Sequence, residues 1–161
     1  MLPRIWWWIT LLLAALGLVM GGAHLLELPV RARYEPQFYM RVTSTLYRYF
    51  GLVGGPLQML ALLFSMRLVW CVRAHAAFRC TLAGTLGLAF SLLLWFLLVQ
   101  PVNAAWLEAL HDNPSQAVQA YAQLRHRWEI GHVAAFTAWL VGFALLLYGV
   151  LQEVLWPSSR A

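Results

Sequence analysis

Four long apolar runs, separated by polar or aromatic stretches, organise the chain. They lie at about 5–28, 51–70, 82–102 and 132–152. Crossing the hydrocarbon core of a bilayer takes roughly 20 such residues in a helix. The first run is uncharged from Ile5 to Ala23, and the second holds only Arg67 near its end. The third holds no charge, and the fourth none after His132. This pattern predicts an all-α fold in which 1–161 form a single integral membrane domain. Its core is an antiparallel bundle of four transmembrane helices.

The connections are unequal. Between the first two runs, Pro29 and Pro36 precede FYMRVTSTLYRYF, aromatic and basic at helical spacing. That pattern predicts an interfacial helix between spans 1 and 2. Ahead of the fourth run, Asn113–Pro114 is a helix-start signal. Gln116, Tyr121 and Trp128 follow, which predicts a helical N-terminal extension of span 4. The first run has the outline of a signal peptide, with Arg4 before it and Gly21, Gly22 and Ala23 late in it; it is read as a retained span.

Composition excludes other classes. Apolar residues make up 62% of the chain and charged residues 11%, where a soluble domain carries about 25% charged residues. The mean hydropathy of +0.68 rules out a disordered chain. Two cysteines, Cys71 and Cys80, are too few for a disulfide scaffold and lack CxxC spacing, so they read as free thiols. The net charge of +5 comes from eleven Arg and no Lys. These arginines flank apolar runs, where they orient a membrane protein or meet lipid headgroups, so nucleic acid is not the expected partner. Arg4, Arg67, Arg73, Arg79 and Arg160 fall on the face of the termini; Arg31, Arg33, Arg41, Arg48, Arg125 and Arg127 fall on the other. Arg4 and the short basic loop favour cytoplasmic N- and C-termini, in a bacterial inner membrane, once arginines committed to carboxylates are discounted. Trp6, Trp7, Trp8, Trp70 and Trp156 sit at span ends, as in an aromatic belt.

Ionisable groups inside spans are costly, and each is a functional hypothesis. The first span ends His24-x-x-Glu27-x-x-x-Arg31; the fourth begins Arg125-x-x-x-Glu129-x-x-His132. One pattern is the other reversed. On antiparallel helices, reversed patterns put like residues at like depth. His24 and His132 should share the deepest layer. Glu27 and Glu129 should lie about 4.5 Å nearer the surface, three residues at 1.5 Å rise. Arg31 and Arg125 should lie one turn further out, with Arg125 beside Glu129 at i, i+4 spacing; Pro29 is expected to kink or end the first helix before Arg31. Gln58, Gln100 and Asn103 bring polar groups to the same end, and Gly17 and Gly21 would let a neighbouring helix approach His24's helix closely. Tyr34, Tyr39, Tyr47, Trp106 and Trp128 could roof the pocket. His75, His111 and His126 fall in loops and read as solvated.

Several chemistries fit this constellation. Glu129 or Glu27 could act as a general base, its pKa raised by burial and lowered by a nearby Arg, with His132 and His24 completing a proton relay. Arg31, Arg125, Arg127, Asn103, Gln58 and Trp128 would then contact substrate. His24, Glu27, Glu129 and His132 could instead ligate one Fe, Cu or Zn ion, since inward Glu/His pairs at i, i+3 build metal sites in bundles. Two histidines at one depth could hold haem. The same pairs could also be purely structural, fixing helix register. The alternative to an enzyme is a non-catalytic membrane subunit that binds a metal, haem, quinone or partner helix. Homo- and hetero-oligomers are both open.

The strings GGAHLLELPVRARYEPQFYMRVTSTLYRYFG, QPVNAAW and LRHRWEIGH resemble a family of small four-helix membrane proteins that includes the anthrone oxygenases of polyketide pathways. The resemblance covers roughly residues 10–150 and rests on His24, Glu27, Pro29, Asn103, Arg127, Trp128, Glu129 and His132. It implies oxidation of an electron-rich aromatic carbon by O2, in a pocket described as needing no cofactor. The partners it implies are the lipid bilayer and a hydrophobic aromatic small molecule. The tryptophan-rich sensory family is similar in size, but it has five spans and aromatic–proline signatures that this chain lacks.

Overall fold

The structure, a computed structural model, describes residues 2–155. Trp156 and Arg160, which the sequence reading placed in the aromatic belt and on the face of the termini, lie outside the described residues. Every regular element among the described residues is helical. The helices are α1 (Leu2–Arg31), α2 (Pro36–Thr45), α3 (Gly55–Cys71), α4 (Phe78–Leu94), α5 (Gln100–Asp112) and α6 (Pro114–Leu155). Two π-helical turns, Phe50–Gly54 and Trp95–Val99, run directly into α3 and α5. Four continuous helical segments are long and apolar enough to cross a membrane: Arg4–Arg31, Arg48–Cys71, Phe78–Asp112 and Gln116–Glu153. They form a ring in which α1 packs on α3 and α6, and α4 packs on α3 and α6. The α2 helix lies across α6, with Tyr39 and Thr43 buried beneath it.

Each π turn has a proline behind it, Pro56 after the first and Pro101 after the second. Proline has no N–H to donate, and its ring clashes with the carbonyl four residues earlier. A wider π turn absorbs both demands. For Pro101 the displaced carbonyl is that of Leu97, which accepts a hydrogen bond from Arg127 Nη2 at 3.2 Å. The third span therefore does not end near Asn103; it continues as helix to Asp112. Pro29 is accommodated as well. It sits exposed on α1, which continues to Arg31 instead of ending before it.

In lipid, helices are not driven together by apolar burial, because the tails are as apolar as the side chains. Close packing and interhelical hydrogen bonds hold this bundle. A Cβ on Gly84 would lie 2.8 Å from the Gly142 carbonyl oxygen, and one on Gly87 2.8 Å from the Gly142 Cα. So α4 and α6 touch backbone to backbone. Ser91 Oγ donates to the Ala135 carbonyl at 2.6 Å across the same interface. On α1, Gly17 and Gly21 lie under Trp139 and Phe136 of α6, and Trp139 Nε1 donates to the Ala14 carbonyl at 2.9 Å.

Two sequence expectations at the face of the termini change. Trp7 is buried against Leu68, Val72 and Ala77, whereas Trp8 and Trp70 are exposed as a belt requires. His75 is not a solvated loop residue; its Nδ1 lies 2.6 Å from Glu153 Oε1 and ties the short loop to α6. Cys71 and Cys80 are free thiols.

Candidate functional site

The reversed patterns of α1 and α6 meet as their spacing requires. The His24 and His132 rings stack with centroids 4.3 Å apart and an interplanar angle of 25°. Aromatic side chains box them in. Tyr47 and Phe50 lie 4.8 and 4.9 Å from His24, and Trp128 meets His132 edge-on at 4.2 Å. Beyond Trp128 the column continues through Trp106 to Tyr121, which stack at 4.2 Å. His24 is 7% exposed, and its buried Nδ1 has no hydrogen-bond partner among the described residues.

One turn out from the histidines lies an ion network centred on Arg31, which is 1% exposed. Arg31 Nε and Nη2 grip Glu129 at 2.8 and 2.5 Å. Nη1 donates to Glu27 at 3.2 Å and to the Tyr47 hydroxyl at 2.9 Å. Nη2 also donates to the His24 carbonyl at 3.1 Å. These five bonds match the five N–H groups of a guanidinium. Tyr39 donates to Glu129 Oε1 at 3.0 Å, and Tyr47 donates to Glu27 Oε2. Burial, reinforced by the Glu129 carboxylate, raises the Tyr39 phenol above its ordinary value. Burial and the bond to Glu27 push Tyr47 up to about 12.

This arrangement corrects the expected pairing of Glu129 with Arg125. Arg31 holds Glu129, while Arg125 caps the end of α1 by donating to the Arg31 and Tyr34 carbonyls, its guanidinium over the Tyr39 ring at 4.2 Å. A helix end leaves carbonyls unsatisfied, and a cationic donor is favoured there. Glu27 does not face the interior fully; its side chain is 39% exposed.

A cavity of about 780 Å³ opens beside the histidine pair, lined by all six helices and both π turns. His24, His132, Asn103, Gln58 and Trp128 line it, together with Tyr47. Asn103 Oδ1 accepts from Trp128 Nε1 at 2.8 Å, which fixes both on the wall. Glu27, Glu129, Arg31, Arg125 and Arg127 are not among the lining residues. Gln100 is exposed, and so is Arg127 beside the π turn. The ion network thus stands behind the cavity wall, with Tyr47 shared between the two. The sequence reading placed Tyr39 and Tyr47 only in a roof; their hydroxyls are also partners of the two carboxylates. The available signal was the need of buried carboxylates for donors.

The four residues proposed to bind a metal do not fit one ion. Both Glu129 oxygens are engaged by Arg31, whose positive charge opposes a cation at that place. Ring nitrogens bind metals through lone pairs in the ring plane, and stacked rings do not converge those lone pairs on one point. Nor can a porphyrin enter between two rings already in contact, as bis-histidine haem ligation requires. No group of three or more His, Cys, Asp or Glu side chains among the described residues is arranged to hold a metal ion. No protein-family model, curated protein or solved structure matches the chain.

Proposed function

We propose that this integral membrane protein is an anthrone-oxygenase-like oxidoreductase. In this reading it binds a hydrophobic phenolic or otherwise activated aromatic molecule in the 780 Å³ cavity, and His132 takes the first proton. The observation that carries the reading is the cavity itself: an aromatic chamber whose wall presents the His24–His132 pair with Asn103 and Gln58. Such a chamber suits a flat apolar ring with a few polar groups to orient it. His132 lines the cavity and has no hydrogen bond among the described residues, so a ring nitrogen is available to a ligand there. His24, stacked on it, is the positioning partner.

The resemblance supplies the oxidant. At an activated CH2 flanked by aromatic rings, His132 removes one proton and leaves a carbanion. The carbanion reduces O2 to a peroxide anion, which takes the proton back from His132, and the hydroperoxide so formed loses water to give a ketone. CH2 and O2 become C=O and H2O, so no external reductant is needed. Glu27 and Glu129 act differently from the base expected on sequence grounds. Both are hydrogen-bonded by the single Arg31 guanidinium and by a tyrosine hydroxyl each, and they hold the wall in place.

Dioxygen uptake with anthrone, by purified protein in liposomes, tests this. His132→Ala should lower the rate about 10²-fold or more, as removal of a positioned base does. Glu129→Gln should leave the rate per folded molecule within a few-fold. Equal rates for wild type and His132→Ala would overturn the assignment of His132. Stoichiometric quinone binding without O2 uptake would favour the non-catalytic subunit, which the unpartnered His24 Nδ1 also suits as a ligand contact.

For localisation we propose a bacterial inner membrane with cytoplasmic termini. Arg31, Arg125 and Arg127 on the far face are occupied within the protein. Arg4 and the short basic loop with Arg73 and Arg79 lie on the face of the termini, whereas Arg31 on the far face is committed to carboxylates, which supports that orientation.

A further inference from the structure

We infer that the cavity is loaded sideways from the bilayer, through a portal between α3 and the second π turn, and that its ligand is a lipid-dissolved ring compound. This rests on reading the cavity as a substrate site. The α3 helix packs on α1 and α4, but it makes no substantial contact with α5 or the Trp95–Val99 turn. The widened turn before Pro101 stands between these elements, and residues from both sides of the gap line the cavity. Met59 is 44% exposed and Phe96 55% exposed on opposite sides of that gap, and both line the cavity. Each lies inside a membrane-crossing segment, so the portal meets acyl chains and not water. A ligand that arrives this way must first dissolve in the membrane.

Two glycines carry the argument further. A Cβ built on Gly51 or Gly55 would meet nothing within 4 Å, and both residues line the cavity. Neither has a positive φ, so the backbone does not demand glycine there. Helix propensity disfavours glycine at such positions. No packing or conformational need accounts for them, and what they do provide is open space at the portal. Arg48 lines the outer rim and is exposed, at the level where headgroups begin. Inside, the buried unpartnered Nδ1 of His24 is a polar atom that a ligand would satisfy.

The test uses tritiated anthraquinone as probe, with the full-length protein in liposomes and scintillation proximity as readout. Gly51→Phe and Gly55→Phe should each slow association at least tenfold with no fall in thermal midpoint. Val141→Phe, which adds a ring to an exposed surface of α6, should not. Unchanged association in both portal variants, with normal binding by wild type, would overturn the portal alone. A wild type that binds no anthraquinone would remove the substrate reading and this inference with it. Should the Phe variants fail to fold, nitroxides on Met59→Cys and Phe96→Cys, in a Cys71→Ser, Cys80→Ser background, report the opening directly. Faster collision with O2 than with a water-soluble nickel chelate, slowed when anthraquinone is added, supports a lipid-facing portal; faster collision with the chelate, or no change on adding anthraquinone, excludes it.

Discussion

Glycine sits on both sides of this molecule for opposite reasons. Where α4 crosses α6, Gly84, Gly87 and Gly142 let two backbones touch, and any Cβ there would overlap the other helix. Where α3 stands off from α5, Gly51 and Gly55 border open space. The first interface exchanges side chains for backbone contact, which is how helices associate when apolar burial gives no gain. The second leaves contact unmade beside a cavity. The contrast is between a tight α4–α6 crossing and a gap between α3 and α5 whose two sides line the cavity. The Arg31 network is a second firm contact, separate from the α4–α6 crossing: it joins α1 and α6 to Tyr39 of α2 and to Tyr47 ahead of α3.

The largest effect is expected from Arg31→Met, which tests the firm contact between α1 and α6. It leaves Glu27 and Glu129 as buried or half-buried charges without their cation, and losing one partner of a buried pair costs about 3–5 kcal/mol. Thermal unfolding in detergent should show that loss, and a variant as stable as wild type would show that the network does not hold the bundle. Glycine gives the next comparison. Gly142→Ala should destabilise by about 1–3 kcal/mol, the usual range for overpacking. Gly55→Ala should be neutral or stabilise by about 0.4–1 kcal/mol, because the unfolded chain loses freedom and the folded chain meets no clash. Equal effects at the two positions would erase the distinction between the sides.

The smallest effect is alkaline. Burial and the bond to Glu27 push Tyr47 from the ordinary 10.0 up to about 12 in the folded protein. The folded state therefore keeps this proton where the unfolded state has released it. That stabilisation is complete below the ordinary tyrosine pKa and is lost as pH rises from about 10 to about 12. The unfolding midpoint should fall across that window, and Tyr47→Phe should flatten the fall. An unchanged slope in Tyr47→Phe would mean that this hydroxyl carries no linked proton.

Much of the fold was legible before any coordinates. Lipid requires a crossing helix to satisfy its own backbone and to be apolar for its whole length, and the four runs meet that demand in plain view. The extension of span 4 was announced by Asn113–Pro114, and the histidine layer by two reversed patterns on antiparallel helices. Those features follow from rise per residue and helix direction, which are local properties. The partner of Glu129 is not local. Helical spacing nominated Arg125, but α1 passes Pro29 without ending and delivers Arg31 instead, while Arg125 finds carbonyls freed at the end of α1.

The separation of carboxylates from cavity was likewise beyond the sequence. His24 and Glu27 lie three residues apart, close enough to share a helix face, yet only His24 lines the chamber. Its shape depends on how far α5 swings from α3, and that swing depends on a π turn, on Pro101 and on the seating of α6. Sequence by itself determined which segments cross the membrane and which polar residues share a depth, because both depend on one helix at a time. Only the tertiary structure decided which cation meets which carboxylate and which side chains face the cavity, because those depend on the rotation and spacing of helices relative to one another.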